Sequence, residues 1–268
     1  MAQANAEHVD GVLSEGVDCP YIRPQLEEGI KDGMFAVAQN GWDCSEIEPG
    51  APSLYHKISY GDRFKNEVEA YETVARGAAA WTAVEAGEGT EILYLTNQEF
   101  STLKFLQNGY SKGIEQFCSD CQLNEVEWLG KELGTALQSK TSAALLRYPD
   151  TGAVYANTNP ELGPAAAVSQ AGKADSLPVI GGLGFGANFE EIRNHEGLSA
   201  TMAIPSEWQA WAEIDTLNSL FAGQELRDEG LGGIIVDADH NLPPAPIKGY
   251  LDPPGIDYKA DYEKDWGV

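Results

Sequence analysis

The stretch from Leu177 to Gly223, LPVIGGLGFGANFEEIRNHEGLSATMAIPSEWQAWAEIDTLNSLFAG, narrows the possible folds more than any other. Val179 and Ile180 make a short apolar run that ends in Gly181-Gly182-Leu183-Gly184-Phe185-Gly186. A helix follows, capped by Asn188, with Phe189 and Ile192 sharing a face and Gly197 as its stop. Ser199 to Ile204 reads as a second apolar strand. Pro205 and Ser206 then open a helix in which Trp208, Trp211, Ile214 and Leu217 recur every third residue, with Ser206 and Gln209 spaced as a capping box and Gly223 closing it. A strand whose carboxyl end opens into a glycine turn leaves backbone amides to meet a ligand, as at the binding edge of an open parallel sheet.

The same alternation extends upstream. Ala4 to Glu15 fits a helix, GVDCPYIRP a strand, Pro24 to Gly33 a helix and Met34 to Asn40 a second strand. Asp43 to His56 reads as a loop, and LYHKISYGDRF as a strand and a crossing. Asn66 to Ala86 is a long Ala-rich helix ended by Gly87 and Gly89. Strands are then expected at EILYLT, NEVEWLG and GAVYANT. Helices separate them at Glu99–Cys118 and Ser139–Tyr148, and a last one runs from Pro160 to Gly172. Strands alternating with helices predict a doubly wound α/β sheet, parallel and with right-handed crossovers. GGIIVDADHNL is a further strand, and the Pro-rich tail closes in a short surface helix over IDYKADYEKDWGV.

Charge excludes some functions. Forty-two acidic against 17 basic residues leave a net charge of −25, a surface that repels phosphate backbones and anionic membranes. No apolar run is long enough to span a bilayer. MAQANAEHVDGVL has neither the basic nor the apolar region of a secretory signal, so the chain reads as cytoplasmic, or as a mature or truncated form.

Local motifs offer other chemistry, and each is weighed against a plainer reading. Gly182-Leu183-Gly184-Phe185-Gly186-Ala187 fits a relaxed dinucleotide fingerprint, which would make the chain an NAD(P)-binding Rossmann oxidoreductase. That fold needs an acidic residue at the end of the next strand to hold the ribose, and Ala203-Ile204-Pro205 stands there instead. Cys118-Ser119-Asp120-Cys121 follows a helix rather than opening one, so it lacks the activation of a redox pair and reads as a structural disulfide or two plain thiols. Asp237, Asp239 and Asn241 begin like a calcium loop, but Leu242 and Lys248 replace its glycine and its closing glutamate, so a polar strand end is the better reading. His8, His56, His195 and His240 lie on separate elements beside no nucleophile, and no catalytic motif is evident. Neither a cofactor nor a metal is expected.

Taken together, the closing β-α-β-α, the Gly16-Val17-Asp18 run that leads into a strand ending in Pro, and the unit AVYANTNPELGPAAAVSQAG resemble the periplasmic solute-binding proteins of the ribose-binding type (type I), the substrate-binding components of ABC transporters. The likeness runs from about Ala4 to Leu242. It implies an α/β fold of two doubly wound parallel-sheet lobes, 1–60 with 204–235 and 61–203 with 236–268, crossing near Tyr60, Ile204 and Val236. The family's opening β-α-β has no counterpart, so the first lobe is expected to be incomplete at its N-terminus or rebuilt. The resemblance further implies a monomer, periplasmic or extracellular, with a lipid anchor as an option for a full-length form. Such a protein binds a small solute in an interlobe cleft without turning it over and presents it to a membrane permease. An effector-binding domain of a transcription regulator has the same fold, but would carry a helix-turn-helix and a basic surface.

The resemblance also points to ligand positions. The family's Asp-Arg at the end of the first lobe's fourth strand falls on Asn40-Gly41, followed by Trp42. Its Arg inside the second lobe's first helix falls on Leu106, with Glu99, Phe100 and Lys104 nearby. Its Asn after the next cleft strand falls on Thr158, beside Asn157 and Asn159; its Asp after the following glycine falls on Leu183, and its hinge Gln on Ile204. Polar anchors are thus replaced by apolar or smaller groups. A buried hydroxyl without a partner costs roughly 1–3 kcal/mol, which argues against a simple pentose. Trp42, Phe100, Phe185 and Trp208 can stack on an aromatic or hydrophobic solute or on a sugar's apolar face. Trp208 reads equally well as core.

Overall fold

The computed structural model describes residues 1–157, 163–251 and 255–268. The chain divides into two compact units. Met1–Glu69, Ser206–Leu231 and Pro253–Val268 form the first, and Ala70–Pro205 with Gly232–Asp252 the second. The chain therefore passes between units four times, where the sequence suggested three, because its closing segment counts with the first unit rather than the second.

In the first unit α1 (Ala2–Ala6) is short, and the rest of the expected Ala4–Glu15 helix is strand β1 (Gly11–Glu15). His8 takes a left-handed φ of 50° and turns the chain between them. The Val9/Leu13 spacing had suggested a helix, but Leu13 is exposed while Val12 packs into the core, which is the alternation of a strand. GVDCPYIRP is not a strand either. Helix α2 (Cys19–Lys31) begins inside it, with a proline in its first turn, and the non-helical Ile22 marks a kink just before Pro24. Strand β2 (Phe35–Gln39) pairs with β1 in parallel register, Glu15 opposite Gln39. One turn of helix, α3 (Cys44–Ile47), is fixed by the Asp43 capping box inside the expected loop. His56 makes only a single bridge to Val37, so LYHKISYGDRF supplies no full strand. A disulfide joins Cys19 to Cys44, both fully buried.

Helices α9 (Ser206–Ala222) and α10 (Tyr258–Trp266) complete this unit. Tyr258 stacks on Trp208 at 5.3 Å and Trp266 on Trp211 at 5.4 Å between ring centroids. This aromatic seam keeps α10 with the first unit. The buried face of α9 carries Trp208, Ala212, Glu213 and Thr216 rather than the three-residue stripe; Ile214 is exposed.

The second unit holds a six-stranded sheet ordered β4-β3-β5-β6-β7-β8. Its strands are β3 (Glu91–Thr96), β4 (Gln122–Glu127), β5 (Thr151–Ala156), β6 (Val179–Gly181), β7 (Ala200–Ala203) and β8 (Ile234–Asp237). All pairings are parallel except β8 on β7. Leu93, Leu95, Val154 and Ala156 point to one face, against Leu137 and Leu145 of α6 (Thr135–Arg147), Val168 of α7 (Pro164–Gln170) and Ile192 of α8 (Gly186–Asn194). Tyr94 and Tyr155 point to the other face and stack with Tyr110 of α5 (Ser101–Phe117). Behind them α4 (Glu67–Ala86) approaches α5 so closely that a Cβ on Gly109 would lie 2.4 Å from the Glu72 carbonyl. The sheet is therefore doubly wound, as its alternation predicts. Helix α6 starts four residues earlier than expected, α7 begins at Pro164 with residues 158–162 outside the described set, and His195 rather than Gly197 ends α8 in a left-handed turn.

Candidate functional site

In an open parallel sheet the carboxyl ends of the strands are where a ligand meets backbone and side chains. In the second unit three strand ends are tied together there. Asn97, just past β3, donates to the Trp128 carbonyl at 2.9 Å; Trp128, just past β4, donates its indole N–H to Asn157 Oδ1 at 3.3 Å. Asn157, just past β5, donates to the Leu103 carbonyl at 3.2 Å. All three residues are buried. They hold the floor of the edge rigidly, and above it stand the exposed Glu99 and Phe100. The Gly130 amide donates to the Glu99 carboxylate and, with Asn97, holds its pKa below the ordinary value.

The glycine turn after β6 is more closed than the sequence suggests. Gly182 and Gly184 both take left-handed φ values near 80°. A Cβ on Gly184 would lie 2.6 Å from the Ala203 Cα. The Phe185 amide donates to Asn188 Oδ1 at 3.0 Å and the Gly186 amide to the Gly249 carbonyl at 2.7 Å. Tyr250 covers the Phe185 ring at 4.3 Å. Asn188 thus serves from the first turn of α8 rather than from its cap. The amides at positions 185 and 186 are already used, which weighs against the dinucleotide reading. Leu183 and Phe185 remain half-buried and the ends of this edge open to contact.

The first unit carries a cluster of polar and charged groups that the sequence reading missed. Glu15 and Gln39 close β1 and β2 as a register pair, so their side chains leave the same face of the sheet. Helix α9 lies on that face: Phe221 meets Phe35 edge-on at 5.6 Å, and a Cβ on Gly11 would touch Leu217 and Phe221. Since the late residues of α9 cover the start of β1, the helix runs antiparallel to the strands and brings Glu213, one turn before Leu217, over their carboxyl ends. Glu67 enters from the first turn of α4 and accepts from the Asn40 amide and from Lys57, whose Nζ stands 3.3 Å away. Lys57 also donates to the Gly41 carbonyl, and the Asn40 side-chain amide to Glu15. Burial is the main cause that raises the pKa of Glu67 and pushes Glu213 up to about 8; Glu15 and Glu67 repel Glu213 further, while Lys57 opposes. Glu15 is exposed as a residue, yet partial loss of water at its carboxylate raises it too, against the Asn40 hydrogen bond.

The two cysteines of C-x-x-C form a disulfide, so the described cysteines are all paired. Asp237 accepts from the Trp81 indole at 3.0 Å and from the amides of Asp239 and His240, the hydrogen bonding of a strand end folding back on itself.

No protein-family model matches the sequence, and no curated protein matches it either. Solved structures do. An ABC transporter periplasmic solute-binding protein from Actinobacillus succinogenes with bound D-allose superposes with a TM-score of 0.76 at 16% identity, covering 89% of this chain and 82% of that one. The fold is that of the periplasmic solute-binding proteins. A solute-binding protein from Agrobacterium vitis bound with α-D-tagatopyranose has a TM-score of 0.72 at 18% identity over 94% and 83% of the two chains. A glucose-galactose binding protein from Geobacillus stearothermophilus has 0.71 at 15% identity over 90% and 80%.

On this solute-binding-protein fold the expected ligand positions separate. Asn40 directly follows β2 with a left-handed φ of 58°, and half-buried Trp42 comes two residues later, its amide donating to Asp18. Glu99, Phe100, Leu183 and Phe185 line the carboxyl edge of the second sheet. Ile204 is buried just past β7, its amide bonded to the Leu183 carbonyl. Leu106, where the resemblance puts the family's Arg, is fully buried. Trp208 is 9% exposed, stacked on Tyr258 and donating to the Tyr262 hydroxyl at 3.1 Å, so it belongs to the α9–α10 seam, the core reading the sequence left open. Thr158 and Asn159 lie outside the described residues.

Proposed function

We propose that the chain is the solute-binding component of an ABC-type importer, taking a small sugar-like solute and releasing it unchanged to a membrane permease. The observation that carries this reading is the fold itself, matched over about nine-tenths of the chain by proteins solved with sugars bound. The strand ends of the second unit support it: Glu99 and Phe100, with Leu183 and Phe185, offer a polar anchor and aromatic faces at one sheet edge. That mixture suits a ring with hydroxyls on its rim and C–H groups on its face. No described helix is long and apolar enough to cross a membrane, and two disulfides suit an oxidising compartment, so a periplasmic or extracellular site of action fits.

A thermal-shift screen with aldoses, ketoses, polyols, amino sugars and aromatic acids tests the proposal. A binding solute at 100 times its Kd stabilises the folded chain by about 2.7 kcal/mol, a shift of several degrees. Absence of any shift across the panel, or chemical conversion of a bound sugar, would sink the reading.

A further inference from the structure

We infer that the polar cluster at the carboxyl ends of β1 and β2 receives the ammonium group of an amine-bearing solute, an amino sugar rather than a neutral one. The inference rests on the solute-binding reading and names its substrate class. Three carboxylates, Glu15, Glu67 and Glu213, converge there against one cation, and Lys57 is engaged by Glu67 and the Gly41 carbonyl. Lys57 lowers the pKa of Glu15 and Glu213 only in part, and Glu213 still holds its proton up to about 8, so at pH 7.5 an arriving ammonium displaces that proton.

The unmet hydrogen bonds point the same way. Gln39 is 1% exposed and neither its amide nitrogen nor its amide oxygen has a partner. Its register with Glu15 directs it to the same face of the sheet. Glu213 Oε1 and Thr216 Oγ1, on the buried face of α9, are likewise unpartnered in residues 5% and 2% exposed. A native protein leaves few such atoms unsatisfied, and a cluster of them beside partly compensated acids marks a place for a donor from outside.

A primary ammonium supplies three N–H donors and one positive charge, the complement of the acceptors that Glu213 Oε1, Glu15 and the Gln39 carbonyl oxygen offer. A neutral hydroxyl supplies a single donor and no charge with which to displace the Glu213 proton. Access is from the strand ends, where Glu15 is exposed and Asn40 and Trp42 are half-buried. The net charge of −25 enriches cations around the surface before they arrive.

Calorimetric titration at pH 7.5 decides the matter, with D-glucosamine against D-glucose, D-galactosamine against D-galactose, and putrescine as an amine without a sugar ring. An amino sugar is expected to bind at least tenfold tighter than its parent, to lose that advantage as its N-acetyl derivative, and to fall to parity with the parent in Glu213→Gln. Putrescine binding as tightly as an amino sugar would overturn the sugar part of the inference. Neutral sugars binding as well as their amines, unaffected by Glu213→Gln, would overturn the inference and leave solute binding standing. If no probe binds, neutral or charged, the inference fails, and the wider thermal-shift panel decides whether solute binding fails with it. The contrast between amine and parent is measured on the unaltered chain, so it does not depend on the variant folding.

Discussion

Glu213 shows how one residue can tie stability to ligand chemistry. In an unfolded chain its carboxyl titrates near 4.5, whereas in the folded chain burial, then the repulsion of Glu15 and Glu67, holds the proton up to about 8. Between those values the folded state binds more protons than the unfolded one, so stability falls as pH rises from about 4.5 through about 8. Glu213→Gln removes that loss. Its melting temperature should match the parent's near pH 4.5 and exceed it by several degrees at pH 8.5, where at most about 5 kcal/mol is recovered for a shift from 4.5 to about 8. Thermal unfolding at both pH values checks this; an equal gain at both would mean that packing, not ionisation, is responsible. Nothing in the sequence singles out Glu213. Forty-two acidic residues hide any three, and only the β1–β2 register and the direction of α9 bring Glu15, Gln39 and Glu213 together. Asn40 and Trp42, by contrast, follow directly from the end of a legible strand.

At the scale of elements, legibility followed the glycine punctuation. Strands bounded by glycine and clear helices, such as β3 and α4, lie close to where the sequence puts them. The opening residues do not, because Val9 and Leu13 mimic a helical face while the chain turns at His8, and because Cys-Pro-Tyr-Ile resembles a strand until the proline is read as a helix start. The Cys19–Cys44 disulfide, which the sequence reading did not pair, clamps α2 to α3 across a separation of 25 residues; Cys118–Cys121 spans 3. Loop-closure entropy makes the first worth about 3.5 kcal/mol and the second about 1.6 kcal/mol. Replacing Cys19 and Cys44 by Ser should therefore lower the denaturation midpoint about twice as far as replacing Cys118 and Cys121. Urea unfolding of the two double variants, compared with the parent, measures this. Equal losses would mean that local contacts, not loop length, set the contribution of each bridge.

For the whole molecule the dominant quantity is its charge. Forty-two acidic groups against 17 basic ones repel one another across the surface, and that repulsion opposes the compact state. Salt shortens its reach from a Debye length of about 10 Å at 0.1 M to about 3 Å at 1 M. The melting temperature of the free chain should therefore rise with sodium chloride. The same screening weakens the attraction that draws an ammonium group toward the polar cluster beside Glu15, so the affinity for an amino sugar should fall, by roughly three- to tenfold over a decade of ionic strength. A neutral sugar has no charge to screen, and its affinity should stay constant. Stability and amine affinity thus move in opposite directions under one variable, a pattern that a general salt effect on folding cannot produce. Parallel melting and calorimetric series in sodium chloride test it. Amine and neutral affinities falling together would show that salt acts on the protein's conformation, and that the surface charge plays no part in choosing the solute.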